Sequence, residues 1–283
     1  MIINMITETK KDIRSLSLKD LRKFFTENQD KAFRGNQVYQ WLWQKGIHDF
    51  DGMTNLSKST RTLLQKNFII KHIDIDLQQK SRDGTIKNAV KLHDNLVVES
   101  VLIPTSNRTT ACVSSQVGCS LDCKFCATAK IKRMRNLNAD EIYDQVVAMD
   151  RQSRLYFDRP LSNIVFMGMG EPLMNYKNLI NAIDKITNPE AFGMSPSRIT
   201  VSTSGIPKMI IKMANDQVRF GLAVSLHSAR QNVRDQLMPL AEKFPLEELA
   251  EAIQYWYSKT SKPVTYEYIC LLYTSPSPRD LST

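Results

Sequence analysis

Residues 109–130 read TTACVSSQVGCSLDCKFCATAK. The opening residues are β-branched and alternating, which predicts a strand over Thr110–Ser114. A cysteine cluster of the form CxxxCxxC follows at Cys119, Cys123 and Cys126. Beyond it the apolar pattern alternates between periods of 3.6 and 2. Helix Ala139–Leu155 leads to strand Asn163–Met167, helix Tyr176–Ile186 to strand Arg198–Ser202, helix Pro207–Ala214 to strand Phe220–Leu226, and helix Leu246–Tyr257 to strand Val264–Ile269. Such alternation calls for parallel strands joined by helical crossovers, with the chemistry at the strands' carboxyl ends. The cysteines lie just past the first of those ends.

Upstream the pattern differs. Leu16–Phe25, Val38–Trp43 and Leu56–Phe68 carry helical spacing and predict a small helical domain over 1–70. Trp41 and Trp43, two residues apart, cannot share a helix face, so one is expected inside and the other exposed. Ile73–Leu77, Ala89–Leu92 and Leu96–Ile103, separated by SRDGT and HDN, predict a β-rich connector over 71–105, ahead of a core over 106–269. The basic residues Lys80, Arg82, Lys87 and Lys91 are interleaved with those strands and read as a solvated face or an RNA-facing rim.

The 283 residues carry a formal charge of +9 and are 42% hydrophobic, enough for packed cores. The positive charge favours a polyanionic partner. No run of about 18 apolar residues and no signal-peptide pattern occur, so a cytoplasmic protein without a membrane role is expected. Of the five cysteines, three are crowded into one loop, a poor disulfide framework and a good ligand set. Thiolates at i, i+4 and i+7 close on one face of a cubane and leave its fourth iron free for a bidentate ligand. Zinc, with Cys112 or His227 as a fourth ligand, is the alternative.

Several motifs in one order extend the pattern: VVESVLIP (Val97–Pro104), RTTACVSSQVGCSLDCKFCATAK (Arg108–Lys130), FMGMGEPLMN (Phe166–Asn175), ITVSTSGIP (Ile199–Pro207) and AVSLHSARQNVRDQLMP (Ala223–Pro239). From Leu16 to Ile269 the chain resembles the RlmN/Cfr family of radical S-adenosylmethionine adenosine C-methyltransferases, and its details favour the RlmN branch. The resemblance implies an α/β fold: a partial (β/α)6 radical-SAM barrel preceded by a helical N-terminal domain and a short β extension. It implies a [4Fe–4S] cluster on Cys119, Cys123 and Cys126, and S-adenosylmethionine contacts from Gly170, Glu171, Ser202, Ser225, Leu226 and His227. Glu171 would accept from the methionine ammonium. Glu99 matches the family's proton acceptor, and Cys112 the cysteine that resolves a protein–RNA crosslink by disulfide formation.

The implied reaction is methylation of adenosine C2 in 23S rRNA and tRNA through a methyl-cysteine, by a monomer that draws electrons from a donor such as flavodoxin. The open alternatives are C8 methylation of the same rRNA adenosine, another radical reaction on a non-RNA substrate, and a zinc-stabilised RNA-binding module. The last residues, CLLYTSPSPRDLST, break the pattern and resemble a translated sequencing-adaptor tail. On that reading 270–283 are non-native, the natural sequence continues past Ile269, and this chain lacks the methyl-carrying cysteine, for which Cys270 is no substitute. It would then hold a cluster without completing methyl transfer.

Overall fold

The computed structural model describes residues 10–269. Cys270 and the adaptor-like tail lie outside the described residues. Two compact units are present, one running to Asp74 and including Asp184–Met194, the other comprising Ile75–Ile183 and the chain from Ser195 onward.

The first unit is built on three helices, α1 (Leu18–Glu27), α2 (Phe33–Trp43) and α3 (Lys58–Asn67). Ser17 and Asp20 form a reciprocal capping box that starts α1 two residues later than its apolar pattern begins. Ser57 starts α3 as a one-way N-cap, accepting from the Thr60 N–H. Helix α2 begins five residues before the expected Val38. Gly35 lowers the helical reading of FRGNQ, yet a Cβ there would lie 2.7 Å from the Arg22 backbone nitrogen, so glycine is what lets α1 and α2 approach. Trp43 is buried and Trp41 half-buried, the latter with Lys45 3.7 Å above its ring and its indole N–H donated to Asn55.

The second unit contains one eight-stranded sheet whose strands lie side by side in chain order: β1 (Asp74–Lys80), β2 (Ile86–Lys91), β3 (Val97–Pro104), β4 (Thr109–Cys112), β5 (Asn163–Phe166), β6 (Ile199–Thr203), β7 (Gly221–Ser225) and β8 (Val264–Glu267). Strands β4–β8 are mutually parallel, and β3 runs antiparallel to both β2 and β4. The crossovers are α4 (Ala139–Phe157), α5 (Tyr176–Thr187), α6 (Pro207–Asn215) and α8 (Leu246–Thr260), with a short α7 (Gln231–Leu237) in the last one. Each parallel strand thus delivers its carboxyl end to one rim. The three connector strands extend the same sheet on its other side. Among the described residues no helix is long and apolar enough to cross a membrane.

The cysteine loop leaves and re-enters through a two-residue ribbon, Gln116–Val117 against Arg135–Asn136. Its return is anchored by Glu141, whose side chain is 3% exposed. That carboxylate caps α4 through the Asn138 N–H, takes a bidentate bond from Arg135 at 2.8 Å on each oxygen, and meets His93 Nδ1 at 3.1 Å. Arg135 also bonds Asp94, whose carboxyl it holds below the usual range. One acid therefore ties the β2–β3 turn, the loop exit and the start of α4.

Replacing Glu141 with Ala leaves Arg135 and the α4 N-terminus without their partner. The expected loss is on the order of 3 kcal/mol, read as a lower urea midpoint with an unchanged slope; a midpoint equal to the parent's would contradict this role.

Candidate active site

The carboxyl ends of β5–β8 and the cysteine loop enclose one cleft, with about 730 Å³ of space when its open mouth is included. Cys119, Cys123, Cys126, Phe125, Gly170, Glu171, Ser202, Thr203, Ser204, Ser225, His227 and Glu267 are among its lining residues. All three loop cysteines and five of the six predicted S-adenosylmethionine contacts therefore share a cavity. The sixth, Leu226, is half-buried and is not in the lining; its N–H donates to the Glu267 carbonyl at 3.1 Å.

The loop is shaped by close backbone contact. Gly118 has φ +72°, and a Cβ there would lie 2.5 Å from the Lys132 carbonyl oxygen. Only glycine fits a left-handed conformation at that distance. Phe125 and Cys123 pack against Leu237, Met238 and Ala241, and the Lys124 N–H donates to the Leu237 carbonyl at 2.9 Å, so the end of α7 forms the loop's floor. Phe125 meets the His227 ring edge-on at 4.5 Å.

The GMGEP turn docks on the strand leading into that loop. Ser115 and Gln116 N–H groups donate to the Met169 carbonyl, and Gln116 Oε1 accepts from the Glu171 N–H at 2.9 Å. Gly170, at φ +94°, has the Gln116 side chain where its Cβ would stand, 2.4 Å away. Gly168 likewise has Ser114 Oγ and the Val113 carbonyl 2.7 Å from where its Cβ would stand, so both glycines let the chain approach itself.

Glu171 is buried. Its Oε1 accepts from Leu173 N–H at 3.1 Å and Thr203 Oγ1 at 2.8 Å, and its Oε2 from Ser204 N–H and Oγ, both at 2.8 Å. Burial pushes its carboxyl above the usual range while these donors pull it back. Four protein donors fill the carboxylate's usual acceptor directions. An ammonium arriving here would have to share them.

Glu267 carries no motif signal, being one acid in the strand VTYE. In the structure its Oε1 accepts from Ser202 Oγ at 2.7 Å and its Oε2 from Ser225 Oγ at 3.0 Å. With both hydroxyl protons committed to it, Ser202 and Ser225 turn oxygen lone pairs towards ligand donors. Only the joint position of three strand ends could have revealed this. His227 is buried at φ +58°, its Nδ1 without a hydrogen-bond partner among the described residues, and burial lowers its pKa.

Glu99 and Cys112 do not line the cleft. Register nevertheless places them on its face of the sheet. Val101 lies opposite Cys112, Cys112 opposite Val165, and Val165 opposite Thr200, while Ser202 and Ser225 sit opposite Ala223 and Glu267. Since side chains alternate, Glu99, Cys112, Ser202, Ser225 and Glu267 share one face. Glu99 is paired with Lys87 at 2.5 Å, both half-exposed. Burial pushes the Cys112 thiol up to about 11. The expected disulfide is corrected: Cys112, Cys119, Cys123 and Cys126 are all free thiols, and no disulfide occurs among the described residues.

Residues 113–280 match the Radical SAM superfamily, which defines the class of protein to which this sheet and cleft belong. A crystal structure of a radical SAM methyltransferase from Sphaerobacter thermophilus is similar, with a TM-score of 0.87 and 34% identity over 95% of this chain and 79% of that one. Residues 11–70 match the ribosomal RNA large subunit methyltransferase N-terminal domain. A probable dual-specificity RNA methyltransferase RlmN from Christiangramia forsetii is 69% identical over 93% of this chain and 75% of its own length, and one from Cytophaga hutchinsonii is 52% identical over 92% and 71%. The chain belongs to the RlmN family.

Two outcomes follow from this geometry. Gly118→Ala, forced into a strained turn against Lys132, is expected to lose about 1–3 kcal/mol and to be cleaved faster within the cysteine loop under limited proteolysis. With a pKa raised to about 11, roughly one Cys112 in a thousand is thiolate at pH 8. Its iodoacetamide labelling, followed by peptide mass spectrometry, should therefore be slow at pH 8 and rise steeply towards pH 10; a rate flat across that range would contradict it.

Proposed function

We propose that this chain is a radical S-adenosylmethionine methyltransferase of adenosine C2 in 23S rRNA and tRNA. The observation that carries the reading is the shared cleft, in which three free thiols face strand-end hydroxyls and an aromatic ledge. The relatives' names supply the RNA substrates, and the charge of +9 suits a phosphate backbone.

The donor set fits an iron–sulfur cluster. Three thiols ring one cavity, and among the described residues no three His, Cys, Asp or Glu side chains converge as a single ion such as zinc requires. Cys119, Cys123 and Cys126 would hold three irons. Adenine C2 is not nucleophilic, so its methylation needs the one-electron chemistry that a cluster with S-adenosylmethionine supplies.

The protein's own contribution is binding and order. Burial keeps Cys119 and Cys123 protonated in the metal-free chain, the latter pushed up to about 12, so iron uptake must release protons. Ser202 and Ser225, with protons turned to Glu267, present acceptors to ligand hydroxyl or ammonium groups. Phe125, braced edge-on by His227, offers one aromatic face for a nucleobase. On the same sheet face, Glu99 is ion-paired with Lys87 and is assigned as proton acceptor, and Cys112 is assigned to product release. A low-potential donor such as flavodoxin, a monomeric state and a cytoplasmic setting complete the proposal.

Anaerobic reconstitution should give a brown protein with about four irons and four sulfides per chain, and serine at any of Cys119, Cys123 or Cys126 should abolish the visible absorbance. Zinc without iron would overturn the cluster and favour the RNA-binding module. For the substrate, mass spectrometry of rRNA and tRNA from cells lacking the gene should show loss of 2-methyladenosine; loss of an 8-methyl product instead would move the reaction to C8.

A further inference from the structure

We propose that Arg234 is a positioning residue for the iron–sulfur centre, a buried fixed cation one helical turn from the floor of the cysteine loop that makes the centre easier to reduce. The proposal rests on the cluster reading given above.

Arg234 lies on α7 and is 1% exposed. A single bond anchors it, from Nη2 to the Ser204 carbonyl at 2.6 Å, while Nε and Nη1 have no partner among the described residues. Met238 N–H bonds back to the Arg234 carbonyl at 2.8 Å, so the residues three and four positions on, Leu237 and Met238, lie on Arg234's side of the turn. Those two residues pack against Cys123 and Phe125. Arg234 is thus one helical turn from the floor of the cysteine loop, with its guanidinium reaching the Ser204 carbonyl behind the cleft wall. It is not among the cleft-lining residues, so it stands behind the wall and does not face a ligand in the mouth.

A buried guanidinium with free donors is costly unless an anion compensates it. Of the nearby acids, the Glu171 oxygens already take four donors, and Asp235, whose charge does bear on Arg234, gives its Oδ1 to Gln231 at 2.6 Å. Neither acid hydrogen-bonds Arg234 Nε or Nη1, and the loop, once it carries thiolates, is a further source of negative charge. Bound through three thiolates, an oxidised [4Fe–4S] centre is net negative, and accepting one electron from a low-potential one-electron donor makes it more so. A fixed cation, or an N–H donated to sulfur, favours the more negative state.

The test is an optical or electron-paramagnetic redox titration of the reconstituted full chain without S-adenosylmethionine, comparing the parent with Arg234→Lys, Arg234→Gln and Arg234→Met, with iron and sulfide assayed in each. The neutral variants are expected to show a reduced-to-oxidised ratio about tenfold lower at a fixed potential, which is about 59 mV for one electron. Arg234→Lys should stay close to the parent. Neutral variants with full iron and sulfide and the parent's midpoint would overturn the proposal. Should neither neutral variant hold iron, Arg234→Lys decides: a loaded centre at the parent's midpoint supports the charge, and loss of iron there too reduces Arg234 to packing. A parent chain that takes up no iron would sink the cluster reading itself, a result separate from any difference among the variants.

Discussion

Both oxygens of the buried Glu171 carboxylate are filled by donors from the end of β6 and from its own turn, and its N–H is held by Gln116. That acid is one link in a closed circuit. Gln116 stands at the entry to the cysteine loop, Ser204 passes the connection to Arg234, and α7 returns it to the loop through Leu237 and Lys124. The loop is therefore gripped at its entry by the end of β5 and beneath by α7, while Glu141 grips its exit. Removing Glu171 would leave Ser204 and Thr203 without their shared acceptor and loosen the wall that faces the three thiols. Because buried polar groups are stable only when paired, such a circuit is strong when complete and weak when broken at any one link.

The close contacts in the circuit explain its composition. Gly118 and Gly170 stand where the chain folds onto its own carbonyls and side chains, and small hydroxyls at Ser202, Ser204 and Ser225 fit donors between strand ends that larger residues would push apart. The cleft is lined by groups of low conformational freedom. Preorganisation of that sort is what a site needs if ligand binding is not to be spent on ordering the protein.

Much of this was legible in the chain. Alternating periods located the five parallel strands and their long crossovers, and the cysteine spacing marked three thiols that the structure gathers at one cleft. What periodicity could not show was pairing. Helix α7 is only two turns long and mostly polar, so NVRDQL has no clear helical stripe, and Gly35 disguised the start of α2. Glu267 and Arg234 act through partners distant in sequence. Ser202 lies 65 residues from Glu267, and nothing local marks either as a pair. Glu99 and Cys112 are the reverse case: motif resemblance singles them out, and register then places them on the cleft's face of the sheet but outside its lining.

That shared face also governs which changes of length the molecule can absorb. Glu99, Cys112, Ser202, Ser225 and Glu267 face the same way only because each stands an even number of residues from its in-register neighbour. Inserting or deleting one residue within β3, β4, β6, β7 or β8 would turn the affected side chain to the opposite surface. The exposed crossovers obey no such parity, since a longer surface loop adds only a small closure entropy. Indels in this fold should therefore accumulate between strands and be purged within them, even where the strand residue lost has no chemistry of its own.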